Sequence, residues 1–436
     1  MIRATFGVGR VTRFYLPLLL QAFSQSLTYP LVAGIVTHGA FGVNALTAFS
    51  QGQMIMFMIG AIGGGLVTTG MVFARTWNGY VSFRRLNSLM MGALLVLQCV
   101  PALPPLSDWI FEGCFALPGE LARVARGTLL LGVFMNGAFF LRNVPMVVLF
   151  NNYESGKANL ATAVRIGVTM LASAAFPRFG LTGAYWGLFV LTAGVAVELG
   201  MTWHFARPYV NALRATTPKE GAMSARELCA LTWEQFRFTL PLSLGGFLLM
   251  LSPLILAAFV GRTENATDML AIHYVTLGVA NPVAYAALRM QAVSIQFPPE
   301  YPGDRRLLGY ALAAGLALGV VPLVCSLPQV GNWYFGVYQN VPPRILGTAR
   351  LAVGVYSALC VIQAVRGRVE GLAASRKRPE AVMTGQIAYT FALFVTSLTL
   401  MSLGCPGWAL AVTSLMVAPA CTTLAVYLAL GRRKKS

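Results

Sequence analysis

Negative charge is what this chain has least of. Its 436 residues include 14 Asp and Glu against 32 Lys and Arg, and only three histidines. Charged residues make up 11% and hydrophobic residues 57%, whereas a soluble domain carries about 25% charged residues. His38, His204 and His273 stand far apart, and the seven cysteines never form a C-x-x-C pair. No metal site, disulfide framework or cofactor is therefore expected. The phosphate-cradling G-x-x-x-x-G-K-[ST], the zinc-binding H-E-x-x-H and the nucleophile elbow G-x-S-x-G are all missing, so the chain reads as no enzyme and no ATP hydrolase. No cleavable signal is evident, because the first apolar run is too long for a signal core.

Long apolar runs fill the space those features leave. A membrane-spanning helix needs roughly 20 apolar residues. Twelve stretches qualify, at about 14–37, 45–73, 86–106, 124–150, 158–176, 181–205, 238–261, 268–297, 307–327, 346–371, 381–402 and 405–430. The expected fold is an all-α polytopic membrane protein of twelve transmembrane helices in two six-helix lobes. Residues 1–206 would form the first lobe, 207–236 a cytoplasmic linker and 237–436 the second lobe. The net charge of +18 would suggest nucleic acid in a soluble protein. Here 23 of the 32 basic residues fall in alternate connections and the two ends, and the opposite loops hold only Arg123, Arg126, Arg178, Arg262 and Arg344. The positive-inside rule then places both termini in the cytoplasm. The expected setting is a plasma membrane, the inner membrane of a bacterium, with lipids as neighbours and no nucleic-acid partner. A monomer is expected.

One hexapeptide pattern occurs twice. Arg13-Phe14-Tyr15-Leu16-Pro17-Leu18 returns as Arg237-Phe238-Thr239-Leu240-Pro241-Leu242, 224 positions later. Each copy opens an apolar run with a second proline beyond it, at Pro30 and at Pro253. Two related halves of six helices each, in the same orientation, are a common transporter architecture. Gly63-Gly64-Gly65 resembles a phosphate loop but lies within an apolar run, where small residues serve close helix packing.

Ionisable residues inside a span are costly and mark function. Arg142, Arg165, Arg289 and Arg366 are the arginines so placed, and Arg142 and Arg366 are again 224 residues apart. One guanidinium from each half, facing a central cavity, would clamp an anion bearing phosphate or carboxylate oxygens. The alternative is that these side chains reach outward to the inner headgroups, above all for Arg165 and Arg366 near helix ends. Asn281, Tyr285 and Arg289 recur at a spacing of four and share one helix face, with Pro282 freeing the carbonyl of Gly278 beside them. Gln21 and Gln25, with Thr28, form a stripe on the first helix, where the matching part of the seventh has Gly245 and Gly246. These neutral groups serve either the ligand or interhelical hydrogen bonds. Glu198 reads as the only acid well inside a span. It either pairs statically with Arg142 or Arg165 or takes up a proton when substrate displaces its arginine. The sequon Asn265-Ala266-Thr267 lies too close to the membrane to be read as a modification site.

Several stretches resemble the progressive ankylosis family of the multidrug/oligosaccharidyl-lipid/polysaccharide (MOP) exporter superfamily. They are Arg13 to Pro17, Pro253 to Arg262, Leu288 to Val293 with Pro298 beyond, Val365 to Arg378, and the last span with its basic tail Arg432 to Lys435. The resemblance implies two lobes around a central cavity, alternating access, and export of a small polyanion such as pyrophosphate, a nucleotide or citrate. The long acidic tail of animal members has no counterpart here, which points to a bacterial relative. A flippase for a lipid-linked oligosaccharide diphosphate would need a cationic cavity too. A cation-coupled multidrug exporter would need an acid in the first helices, where none lies well inside the membrane. A non-transporting scaffold would need more extramembrane sequence than the chain offers.

Overall fold

The computed structural model describes residues 6–115, 117–215, 223–301, 303–339 and 341–431. The side chains of 24–30, 43, 254, 267 and 338 lie outside the description. The apolar runs are helices, as composition demands, because a backbone in hydrocarbon must satisfy its own hydrogen bonds. The first is α1, Val8–Thr37. Eleven further helical paths among the described residues are long and apolar enough to cross a membrane. These are α2 (Asn44–Phe73), α3 (Trp77–Ala102), α4 (Gly119–Asn151), α5 (Ser155–Phe179), α6 (Ala184–Ala215) and α7 (Ala225–Val260). The rest are α8 (Asp268–Gln296), α9 (Arg306–Ser326), α10 (Pro343–Ser375), α11 (Pro379–Ser402) and α12 (Gly407–Gly431). At 1.5 Å per residue, the 30-residue α1 extends about 45 Å, longer than a bilayer core. The fold is thus all-helical and polytopic, with twelve long helical paths among the described residues, six to each half of the sequence.

The offset of 224 holds at the level of helices. It carries Gly119–Asn151 onto Pro343–Ser375, and it carries the start of α2 at Asn44 onto the start of α8 at Asp268. It also carries Ser155, which opens α5, onto Pro379, which opens α11. Even the irregular turns recur: wide helical turns occupy Trp109–Cys114 and Asn332–Tyr338. So does the interruption of the second helix of each half, between Ala61 and Gly65 in α2 and at Arg289 in α8.

The two compact units divide the chain differently from the linker-based boundaries. One comprises Ser24–Ser243, and the other takes the N-terminal stretch to Phe23 with Leu244 onward. The physical reason lies at the starts of α1 and α7. Within the second unit, the Tyr15 hydroxyl donates to the Ala286 and Ala287 carbonyls at 3.3 and 3.4 Å, and Phe14 meets Phe297 edge-on. Within the first, Thr239 bonds Thr69 at 2.7 Å, Ser82 bonds Thr232 at 3.1 Å, and the Gln235 amide donates to the Gly79 carbonyl at 3.2 Å. The supposed linker is largely helix, since α6 runs on to Ala215 and α7 begins at Ala225; residues 216–222 lie outside the description.

Small residues let these helices approach closely. A Cβ on Gly65 would come within 3.0 Å of Leu242, Ser243 and the Thr239 carbonyl, and one on Gly63 would collide with the Phe140 ring. The glycine triplet is therefore a packing surface.

Candidate functional site

Each unit buries a cluster of charge among its spanning helices, and the two clusters are built on equivalent positions. In the unit Ser24–Ser243, Glu198 of α6 is fully buried. One of its oxygens accepts from Arg142 of α4 at 2.8 Å and from Arg165 of α5 at 2.9 Å. Its other oxygen accepts from the Thr162 hydroxyl. Arg142 also lies over the Phe139 ring, 4.7 Å from its centre. Helical spacing assembles the group: Thr162 and Arg165 are one turn apart on α5, and Gly194 lies one turn before Glu198 on α6. A Cβ at Gly194 would stand 2.7 Å from the Thr169 hydroxyl and 3.2 Å from the Arg165 side chain, so the glycine makes room for the arginine.

In the other unit, Arg366 and Glu370 lie one turn apart on α10, 2% and 3% exposed. The Arg366 Nε donates to Glu370 at 2.8 Å and its Nη2 to the Gln386 oxygen of α11 at 2.9 Å. The Gln386 amide donates in turn to Glu370 at 3.2 Å, and the guanidinium faces the Tyr389 ring at 5.2 Å.

Adding 224 turns Arg142 into Arg366, Thr162 into Gln386 and Arg165 into Tyr389. The framework is common to both halves, but the charges differ. Two guanidiniums share one carboxylate in the first cluster, an excess of one positive charge. In the second, Arg366 is matched one to one by Glu370 and covered by an aromatic face.

Glu198 is not the only buried acid on a spanning helix: Glu370 is 3% exposed and lies between one and two turns from the end of the helical path Pro343–Ser375. The signal was its position four residues after Arg366, the spacing that pairs opposite charges on a helix. The 224-residue offset, applied to Thr162 and Arg165, would have pointed to Gln386 and Tyr389. Arg165 and Arg366 do not reach outward; both are 2% exposed and engaged with carboxylates. In this structure Glu198 is ion-paired with both arginines at once.

The remaining predicted residues are placed as follows. Arg289 sits at the break in α8 and is partly buried; Asn281 is partly buried and Tyr285 is 53% exposed. Gln21 is buried, whereas the side chains of Gln25 and Thr28 lie outside the description. The asymmetry between Gln21 and Gly245 has a local cause. A Cβ at Gly245 would stand 2.7 Å from the Gln386 Cγ, so α7 gives up a side chain where the second cluster needs its glutamine. Among the described residues, no group of three or more His, Cys, Asp or Glu is arranged to hold a metal ion.

No family profile matches this chain, and no curated protein does. Solved structures do match, over almost the whole length. A MOP superfamily transporter from Pyrococcus furiosus is similar with a TM-score of 0.73 at 16% identity, covering 98% of this chain and 97% of its own. An outward-facing multidrug resistance MATE transporter of the same superfamily also reaches 0.73, at 17% identity and the same coverage. The Vibrio cholerae MATE transporter VcmN reaches 0.71 at 14% identity, covering 98% of each chain. The chain has the fold of the MATE transporters of the MOP superfamily. At these identities the likeness is one of fold.

Proposed function

We propose that this protein is a secondary transporter that moves a small polyanion across the membrane by alternating access, without hydrolysing ATP. Its substrate class would be that of pyrophosphate, nucleotides or citrate, in line with the progressive ankylosis resemblance. The observation that carries this reading is the excess cation of the first cluster: Arg142 and Arg165 on the single carboxylate of Glu198. An uncompensated charge at a buried site within a span is strongly unfavourable, and an anionic substrate would complete it. Arg142 is the arginine to exchange partners. It retains 12% exposure against 2% for Arg165. Glu198 would then hold the cluster neutral enough to survive empty, and would release Arg142 when the anion binds. The Pyrococcus furiosus neighbour is described as having a binding pocket of reverse polarity that suggests a different function, which supports a departure from multidrug export within this fold.

The test is flux. Proteoliposomes loaded with labelled pyrophosphate, ATP or citrate should release at least one of them through the wild type, and through Arg142→Gln at a rate near that of empty vesicles. Release of none of the three, together with translocation of a lipid diphosphate or a cationic dye, would transfer the assignment to a flippase or a multidrug exporter.

A further inference from the structure

A second feature of the unit Ser24–Ser243 takes no part in the charge clusters. Between α3 and the first turns of α7 there is a groove of about 400 Å³, within the size range of small-ligand pockets. Its walls include Arg85, Leu89 and Ala93 from one helix and Cys229, Trp233 and Phe236 from the other. The spacing explains the walls. Arg85, Leu89 and Ala93 recur every four residues along α3, and Cys229, Trp233 and Phe236 recur every four and three along α7, so each set forms one stripe. Hydrogen bonds from Ser82 to Thr232 and from Gln235 to Gly79 clamp the two helices beside the groove.

The lining is apolar except for Arg85 and for Thr232, whose hydroxyl is engaged with Ser82. Leu89 and Trp233 are each 59% exposed, and no carboxylate lies among the lining residues. Arg85 is exposed on the wall; Arg84, Glu234 and Arg237, next to lining residues in the chain, are exposed as well, three cations to one anion. Arg214 lies over the Trp77 ring at the start of α3, at 5.9 Å. By the distribution of basic residues, this end of α3 and of α7 belongs to the cytoplasmic leaflet. An apolar slot with a cationic mouth at headgroup depth fits one molecular class: an acyl chain that carries an anionic head. A free phosphate would need the arginine but not the slot. A neutral lipid would need the slot but not the arginine.

We propose that this groove binds an anionic phospholipid of the cytoplasmic leaflet, with an acyl chain along Leu89, Trp233 and Phe236 and the phosphate on Arg85. The site is separate from substrate transport, and neither stands on the other.

Cys229 supplies the probe, since it is exposed and lines the groove. The full-length protein would keep Cys229 as its only cysteine, with the other six replaced by serine. It would be reconstituted in phosphatidylcholine vesicles with or without phosphatidylglycerol, and the rate of modification by an uncharged maleimide would be followed. Phosphatidylglycerol should slow the reaction about fivefold, the equivalent of ~1 kcal/mol for one arginine at an anionic surface. Arg85→Gln should abolish the slowing, while Arg178→Gln, an exposed arginine of an opposite loop, should preserve it. Soluble glycerol phosphate should leave the rate unchanged. Equal rates in the two vesicles, persistence of the slowing in Arg85→Gln, or protection by glycerol phosphate alone would each overturn the proposal.

Discussion

Glu198→Gln removes the one carboxylate that two buried arginines share and keeps the volume of the side chain. Arg142 and Arg165 would then face each other at a site where Glu198 is fully buried and Arg165 is 2% exposed. Breaking a buried pair by deleting one partner costs about 3–5 kcal/mol, because the remaining charge keeps its desolvation penalty. Here two cations remain, so the upper half of that range applies. For a unit of 220 residues (24–243), ~4 kcal/mol corresponds to a fall in melting temperature of roughly 10 °C. The loss should shrink when a polyanionic substrate is added, since the anion supplies the missing charge. The assay is thermal unfolding of the purified variant with and without pyrophosphate, ATP and citrate. A variant as stable as wild type, with unchanged flux, would refute the reasoning that the cluster is a strained, charge-unbalanced site.

The two clusters should respond oppositely to loss of an arginine. Arg142→Gln leaves Arg165 to pair Glu198 one to one, so thermal stability should fall by less than about 1.5 kcal/mol while polyanion binding is lost. Arg366→Gln leaves Glu370 without its cation, and should cost about 3–5 kcal/mol in the same unfolding assay. Gly245→Ala forces a Cβ to 2.7 Å from the Gln386 Cγ and should destabilise the protein by about 1–3 kcal/mol, read from the shift in melting temperature. The α8–α9 connection should be sensitive to acid in a defined window. Arg306 holds the Asp304 and Glu300 carboxyls below their ordinary values of 3.8 and 4.5, and Glu300 accepts the Phe6 amide at 2.7 Å. A lowered folded pKa contributes stability that is fully present above the unfolded value and is lost as pH falls through the folded one. Hydrogen-exchange protection of Phe6, corrected for intrinsic rate, should therefore be constant from neutral pH down to about 4.5 and decline below it; Glu300→Gln should lose it at every pH.

Much of this was legible in the sequence, because hydrophobic length and basic-residue placement are local properties. The repeat of Arg13 to Leu18 at Arg237 to Leu242 fixed an offset that the helices obey from α2 to α11. What sequence pattern did not reveal was partnership. Glu198, Arg142 and Arg165 come from three helices, and their meeting on one carboxylate depends on packing that Gly194 permits. Glu370 lies near the end of its apolar run, where an acid reads as part of the following connection, yet it pairs with Arg366 on one helix face. The polar stretch 207–236 marks where the chain leaves the membrane, and much of it is helix. Which unit a helix end joins is decided by contacts such as Tyr15 on the Ala286 carbonyl and Thr239 on Thr69.

The central claim is that the excess cation around Arg142 is the place where an anion binds. Its most direct measurement is thermal stabilisation of the purified protein by pyrophosphate, ATP and citrate, compared between wild type and Arg142→Gln. A ligand present at a hundred times its dissociation constant adds about 2.7 kcal/mol to the folded state. The account predicts that at least one of these anions stabilises the wild type to that extent and leaves Arg142→Gln unmoved. Equal stabilisation of both proteins, or stabilisation only by a lipid diphosphate or a cationic dye, would contradict it.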